Sequence, residues 1–371
     1  MTDSAQHSEP QHAPDDVVRT WEEVAPGARL PLLVVEPLLE FMDSHGLGAG
    51  DELSVESVGE GHSNVTYLLR RGSTAELILR RPPRPPLPPS AHNVGREAQL
   101  LGALSGTAAR VPGVLAACSD ETIIGAPFYI MERIAGDVIT QVVPQELDTT
   151  PQRARIADEL IDALVEVHAV DWQQIGLEGF GKPTGYLERQ LRRFMGLWEI
   201  NRTRELGAVE RVGTWLADNL PASPAATIVH GDYRLGNVMF APGAPARLTA
   251  IFDWEMATIG DPLADLGYMC ALWIQGNDPS RGMFELTGVT RAEGFPTREQ
   301  LIASYEQRSG RSMSEIRWYT TLALWKSVVF MEGNYKRAIS GSTDDPFLKS
   351  FGDGVLDLAA RAEEVAHGDS D

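Results

Sequence analysis

Residues 82–90 read PPRPPLPPS, six prolines in nine positions, and no regular element can run through them. Proline has no amide hydrogen for a sheet ladder, and its ring collides with the preceding turn of a helix. The segment is expected to be a stiff, extended connector, so the chain on each side of it is read separately. Before it, "LSVESVGEG", "SNVTYLLRRG" and "AELILRRP" alternate apolar and polar residues between glycine-containing turns, the pattern of an antiparallel meander. A short helix over residues 30–45, with Leu33, Val34, Pro37, Leu38, Phe41 and Met42 at helical spacing, is predicted ahead of them. After the connector, "HNVGREAQLLGAL" places Val94, Ala98, Leu101 and Leu104 on one helical face, and "GVLAACSD" and "APFYIMERI" read as two further strands.

Beyond Gly136 the pattern becomes helical. "PQRARIADELIDALVEVHAV" opens on Pro151 at a helix start, and "YLERQLRRFMGLWEI" and "VERVGTWLADNL" continue the series. One non-helical island interrupts it, "ATIVHGDYRLGNVMF" followed by "RLTAIFDWEMATIGDPLADLGYM". Here "TIVH" is expected to lead into a loop, and "VMF" and "LTAIFDW" to form a hairpin. The fold class is α+β, with a sheet-bearing N-terminal lobe over 26–133 and a helical C-terminal lobe over 134–365. Residues 1–25 and 366–371, polar and acidic, are expected to be loose tails.

Charge narrows the partners. Thirty-two basic against fifty-two acidic side chains leave a net charge of −20, which opposes condensation onto nucleic acid or an anionic membrane. The most apolar stretch, "PLLVVEPLLEFM", is broken by Glu36, Pro37 and Glu40, and no basic segment followed by an apolar run opens the chain, so a cytoplasmic location is expected. Cys118 and Cys270 lie far apart within apolar segments and are expected to be buried thiols, not a disulfide.

The island brings an acid, an amide and a second acid, Asp232, Asn237 and Asp253, to one edge. That set suits phosphoryl transfer, in which one carboxylate accepts a hydroxyl proton while a second carboxylate and an amide oxygen hold Mg²⁺ on the phosphates of ATP. The order of "HGDYRLGNVMF" and "IFDWEMATIGDPLADLGYM" resembles the aminoglycoside phosphotransferase and choline kinase superfamily, whose fold is similar to that of protein kinases. The resemblance runs from about residue 50 to 340. It implies that Asp232 is the catalytic base, that Asn237 and Asp253 bind magnesium, and that the acceptor is a small molecule bearing a hydroxyl. It also implies that His230 points back into its own loop; Asp261 and Asp265 are expected to steady that loop and start the next helix.

On the nucleotide side, Gly59 and Gly61 between two strands let backbone amides approach phosphates, with Ser63 available to donate. Arg80 on the third strand and Glu97 on the following helix have the separation of the ion pair that orients nucleotide phosphates. The backbone groups of Glu132 and Ile134 are placed on the adenine edge. Kinases carry lysine where this chain has Arg80, and arginine can grip phosphates bidentately while always charged. Strand alternation puts Ile78 and Arg80 on one face and Leu79 and Arg81 on the other, so loss of Arg80 is expected to weaken nucleotide use and loss of Arg81 to change little.

Within the superfamily, "LRRPP" and the run from Tyr186 to Pro221 look most like the branch that includes the kinase-like domain fused to acyl-CoA dehydrogenases. That implies phosphorylation of a hydroxyacyl chain, free or as a coenzyme A thioester. Two alternatives stand beside it: an aminoglycoside or amino-alcohol kinase, and a catalytically silent nucleotide-binding module. The arginines Arg70, Arg71, Arg80, Arg81, Arg84 and Arg96 serve either ATP or a second phosphorylated ligand, or are solvated surface. Trp318, Tyr319, Trp325, Phe330 and Tyr335, at helical spacing, are either core or the lining of an apolar acceptor pocket.

Overall fold

The computed structural model describes residues 16–48, 50, 52–58, 64–72, 75–85, 87, 92–279, 286–342 and 346–368. The chain divides into two compact units, Met1–Ser105 with Val111–Ile134, and Gly106–Arg110 with Ala135–Asp371.

The first unit runs β1 (Val17–Val18), β2 (Leu33–Val34), α1 (Val35–Ser44), β3 (Leu53–Val58), β4 (Val65–Arg71), β5 (Ala75–Arg81), α2 (Val94–Leu104), β6 (Val114–Cys118), α3 (Glu121–Ile124) and β7 (Phe128–Glu132). Five strands form one antiparallel sheet in the order β3-β4-β5-β7-β6. The period-two pattern sends Tyr67, Leu69, Leu77 and Leu79 to one face, where they pack on Leu38 and Met42 of α1 and on Ile124. The opposite face meets α2, whose buried side carries Val94, Ala98, Leu101 and Leu104 and whose first turn is capped by the Asn93 side chain.

Two expectations change at the N-terminus. The helix begins at Val35 and not at residue 30, because Leu33 and Val34, both fully buried, pair in parallel with Val17 and Val18. The loose tail expected as far as residue 25 is, from Asp16 onward, tied down: the Trp21 indole donates to the Thr122 carbonyl at 3.0 Å, and Asp16 pairs with Arg84. Isolated apolar pairs such as Val17–Val18 carry no period, so only the tertiary partner reveals them.

The second unit runs α4 (Thr150–Ala169), α5 (Tyr186–Asn201), α6 (Gly207–Asp218), β8 (Thr227–Val229), β9 (Val238–Phe240), β10 (Leu248–Ile251), β11 (Thr258–Gly260), α7 (Leu263–Leu272), α8 (Arg298–Ser309), α9 (Ile316–Ile339), α10 (Pro346–Lys349) and α11 (Phe351–His367). Pro151 sits in the first turn of α4, and Thr297 with Gln300 forms a capping box on α8. The central helix is α9, packed by α5, α6, α7 and α11 and burying Trp318, Tyr319, Leu322, Trp325, Val328 and Val329. Of the aromatic series on it, Trp318, Tyr319 and Trp325 are therefore core, while Phe330 is exposed. Helix α11 continues through His367 to a left-handed cap at Gly368, so residues 366–368, expected in the acidic tail, belong to the helix and its cap. Cys118 and Cys270 are both free thiols, and burial pushes Cys270 up to about 12.

Candidate active site

The island in the second unit is built from two short antiparallel pairs, β9 with β10 and β8 with β11. The β9–β10 hairpin is the one expected; β11 is a strand that sequence reading missed, three residues long and too short to show a period. Strand β8 delivers His230, and the chain then turns at Gly231, whose φ of 88° favours glycine. A side chain there would also press on Met256, 2.9 Å from an added Cβ.

His230 is fully buried and its ring faces inward. Its Nδ1 accepts from the Asp232 amide at 3.2 Å, so Nε2 carries the hydrogen and donates to the Phe252 carbonyl at 2.8 Å. Trp254 packs on the same ring, with centroids 4.6 Å apart. Tyr233, also fully buried, anchors the loop from behind by donating to the Leu160 carbonyl of α4 at 2.7 Å. The Asp232 carboxylate is left at the surface of this frame, its side chain 24% exposed.

Asn237 closes the loop onto Asp232. Its Nδ2 donates to the Asp232 carbonyl at 2.8 Å and to Asp232 Oδ2 at 2.7 Å, so both amide hydrogens are used and Oδ1 is the atom it can offer a cation. Its carbonyl accepts from the Phe252 amide at 2.8 Å. Phe252 is thus held through its N–H by Asn237 and through its C=O by His230, and the next residue, Asp253, takes a left-handed conformation with φ of 62°. Left-handed backbone costs an aspartate about 1 kcal/mol, and such conformations gather where function needs a side chain aimed.

Asp265 on α7 holds the other side of the loop. Its Oδ2 accepts from the His230 amide at 2.7 Å and its Oδ1 from the Gly231 amide at 2.8 Å. His168 Nε2 lies 3.2 Å from the same carboxylate, and His168 Nδ1 meets the Tyr305 hydroxyl at 2.7 Å. Burial works against the Asp265 charge, but the His168 bond, the nearby His168 and His230 rings and the Gly231 amide outweigh it, and its pKa falls below the usual carboxylate range. Asp261 behaves as a cap, accepting from the Leu263 amide at 3.0 Å, and its other oxygen takes the Tyr319 hydroxyl at 2.8 Å. Sequence reading placed Asp265 near the loop but not His168 or Tyr305, which sit on α4 and α8 with no motif to mark them. It also missed Tyr268, buried on α7: burial first, and then the Asp232 charge, push its pKa well above the ordinary value.

In the first unit, β5 turns Arg80 toward α2, where its Nε lies 3.1 Å from Glu97 Oε2. Glu97 is 2% exposed, far from the surface residue a free glutamate would be. The Glu132 amide is spent on the Gly113 carbonyl at 2.9 Å and its carboxylate accepts from the Gly113 amide, so for an adenine edge Glu132 offers only its carbonyl. Ile134 ends this unit, and Gly59, Gly61 and Ser63 lie outside the described residues.

Arg81 corrects an expectation. It is 2% exposed and donates to the carbonyls of Leu32, Ile124 and Pro82, so it bolts β5 to its neighbours and is no dispensable residue. The rest of the basic run is largely structural too: Arg70 pairs with Glu56 and Glu76, Arg71 with Asp43, and Arg84 with Asp16.

A model of the phosphotransferase enzyme family matches residues 54–302, more than half of the chain. The chain belongs to that family. Among curated proteins it is 32% identical to mouse acyl-CoA dehydrogenase family member 10 over 88% of its length, and 31% identical to rat acyl-CoA dehydrogenase family member 11 over 90%. It spans only 30% and 43% of those two proteins. Among solved structures, one from Ralstonia eutropha with a provisional aminoglycoside phosphotransferase name superposes with a TM-score of 0.78 at 31% identity, covering 90% of this chain and 98% of that one. The aminoglycoside phosphotransferase APH(4)-Ia, solved as a ternary complex with AMP-PNP and hygromycin B, shares the fold with a TM-score of 0.57 at 16% identity, over 90% and 98% of the two chains. The chain therefore has the kinase-like fold of the aminoglycoside enzymes. Among its described residues no helix is long and apolar enough to cross a membrane.

The donor set fits a hard cation held partly by its substrate. Among the described residues no three His, Cys, Asp or Glu side chains converge as a metal cage. Asn237 Oδ1 and the Asp253 carboxylate are oxygen donors of the kind that bind Mg²⁺ in company with phosphate oxygens.

Proposed function

We propose that this phosphotransferase moves the γ-phosphoryl group of ATP to a hydroxyl of a small molecule, a hydroxyacyl chain or its coenzyme A thioester. The observation that carries the reading is the Asp232 carboxylate, held by Asn237 at 2.7 Å and by Arg234 at 3.5 Å yet 24% exposed, in a chain with the motif order of the family. In the proposed reaction the acceptor O–H gives its proton to Asp232 as its oxygen bonds to the γ-phosphorus. The bond from that phosphorus to the bridging oxygen breaks, and ADP leaves. Asn237 and Asp253 would hold Mg²⁺, whose charge offsets that of the phosphates. Arg80, oriented by Glu97, would bind the nucleotide phosphates from the 26–133 lobe, with the Glu132 carbonyl and Ile134 on the adenine and Gly59, Gly61 and Ser63 near the phosphates.

The hydroxyacyl acceptor is supported by the two mammalian relatives, whose names are those of acyl-CoA dehydrogenases and of which this chain resembles one part. The test is phosphate transfer from labelled ATP, with Mg²⁺, to hydroxyacyl-coenzyme A, free hydroxy acids, aminoglycosides and amino alcohols. Transfer to the first two that Asp232→Ala abolishes is the expected result. Tight ATP binding without transfer to any acceptor would show a silent module, and transfer to the amines alone would overturn the acceptor class.

A further inference from the structure

Side chains alternate about the chain from Asp232 to Leu235. Tyr233 and Leu235 are 0% and 1% exposed, while the side chains of Asp232 and Arg234 are each 24% exposed. Arg234 has extended backbone, with φ of −161° and ψ of 166°, so its neighbours point the opposite way. Its main chain is fixed on both sides: the Arg234 carbonyl accepts from the Asn237 amide at 2.9 Å, and Tyr233 is tied to the Leu160 carbonyl of α4. A cation is thereby built into the same loop as the proposed base.

The Arg234 side chain, by contrast, is held loosely. Its Nε stands 3.5 Å from Asp232 Oδ1, within ion-pair range but too long for a good hydrogen bond. Arg110 of the same unit shows a structural pair, with Nε and Nη2 donating to the two Glu166 oxygens at 2.8 Å each. A pair as exposed as that of Arg234 with Asp232 is weak and readily exchanged. The guanidinium rests back across Gly236, where an added Cβ would overlap Nη1, so a glycine leaves room for it.

Arg234 also covers the oxygen that the reaction needs. Asp232 Oδ2 takes the Asn237 amide at 2.7 Å, which leaves Oδ1, the oxygen that Arg234 faces, for the acceptor's proton. A base must come within about 3 Å of the acceptor oxygen, and that oxygen within about 3.5 Å of the phosphorus, so the γ-phosphoryl group arrives within about 6 Å of Asp232. An arginine side chain already seated against that carboxylate can swing so far. The phosphoryl oxygens carry more charge than one carboxylate and fit the guanidinium fork.

We propose that Arg234 is handed from Asp232 to the γ-phosphoryl group when ATP binds, which uncovers Oδ1 for the acceptor hydroxyl and places a cation on the group being transferred. The proposal rests on the phosphotransferase reading and deepens it. Arg234 exchanges no proton. The acceptor's proton goes to Asp232 Oδ1, its oxygen bonds to phosphorus, and the bond to the bridging oxygen breaks with its electron pair leaving on ADP.

The experiment is calorimetry with AMP-PNP and with ADP, each with Mg²⁺, and it needs no acceptor. Arg234→Gln should weaken AMP-PNP about ten- to a hundredfold and leave ADP within about twofold, since only the triphosphate carries a γ group. Arg234→Lys should recover part of the loss. Asp232→Asn should tighten AMP-PNP in wild type and do so less in Arg234→Gln, where no ion pair remains to be broken. With an acceptor that is turned over, Arg234→Gln should lower kcat about a thousandfold with KM for the acceptor little changed. Equal losses of AMP-PNP and ADP, or no loss, overturn the hand-off, as does an Asp232→Asn gain of one size in both backgrounds. Unchanged ADP binding also shows that the variant is folded; should Arg234→Gln not fold, Arg234→Met decides by the same comparison. If wild type phosphorylates no acceptor while Arg234→Gln still separates AMP-PNP from ADP, the transfer reading has failed and Arg234 stands as a ligand of the γ-phosphate.

Discussion

Arg80 and Arg81 are neighbours with opposite duties. Alternation along β5 sends Arg80 to Glu97 and Arg81 into three backbone carbonyls on the other face. Arg80→Ala is expected to raise KM for ATP at little cost in stability. Arg81→Ala should leave buried carbonyls unpaired and cost about 2–3 kcal/mol of unfolding free energy, read by urea denaturation. Equal effects of the two substitutions on KM and on stability would contradict the register. Lys326 gives a prediction with a definite sign. Its pKa is about 8 in the folded chain against 10.5 as the ordinary value, so the folded state pays for the charge below pH 8 and is relieved as pH rises toward 10.5. Lys326→Met should therefore stabilise the protein at pH 7, by an amount on the order of 1–3 kcal/mol, and the gain should shrink between pH 8 and 10. A destabilised variant, or a gain that does not change with pH, would show that the ammonium carries no such penalty.

At the scale of elements, the Asp232 loop owes its shape to side chains on helices α4, α7 and α8. Asp265 of α7 takes the two loop amides, His168 of α4 and Tyr305 of α8 hold that carboxylate, and α7 itself lies against α9. The contact is close at Gly267, where an added Cβ would stand 2.6 Å from the Tyr319 backbone carbon and from its Cβ. Gly267→Ala should push the helices apart, costing about 1–3 kcal/mol and lowering kcat by displacing Asp265. A melting temperature and kcat both equal to wild type would show that α7 can move without the loop. Alternation in "SNVTYLLRRG" and the apolar spacing of "HNVGREAQLLGAL" were enough to place β4 and α2, because a long half-buried element prints its period on the chain. The pairing of β1 with β2 and of β11 with β8 was not legible, since two or three residues carry no period and each strand exists only through its partner.

For the whole molecule, the phosphotransferase reading predicts that nucleotide and metal stabilise together. ATP with Mg²⁺ at a hundredfold excess over Kd should add about 2.7 kcal/mol to unfolding, and chelation should remove most of it. Asn237→Ala and Asp253→Ala should abolish the metal-dependent part while ATP alone still binds weakly. A shift insensitive to chelation would remove both residues from the metal site. By itself the sequence determined the α+β division and the order of its elements, since these follow from local period and from proline's missing hydrogen. It also placed Asp232, Asn237 and Asp253 on one island, because their spacing along two short strands leaves little freedom. Only the tertiary structure decided what holds them. The Asp265, His168 and Tyr305 clamp joins residues up to 137 positions apart, and Lys326 and Arg193 gather on the Phe194 ring from α9 and α5. A lone histidine, lysine or tyrosine on a helix has no pattern to mark it. Its role comes from which distant groups burial forces it to face, and that is a property of packing.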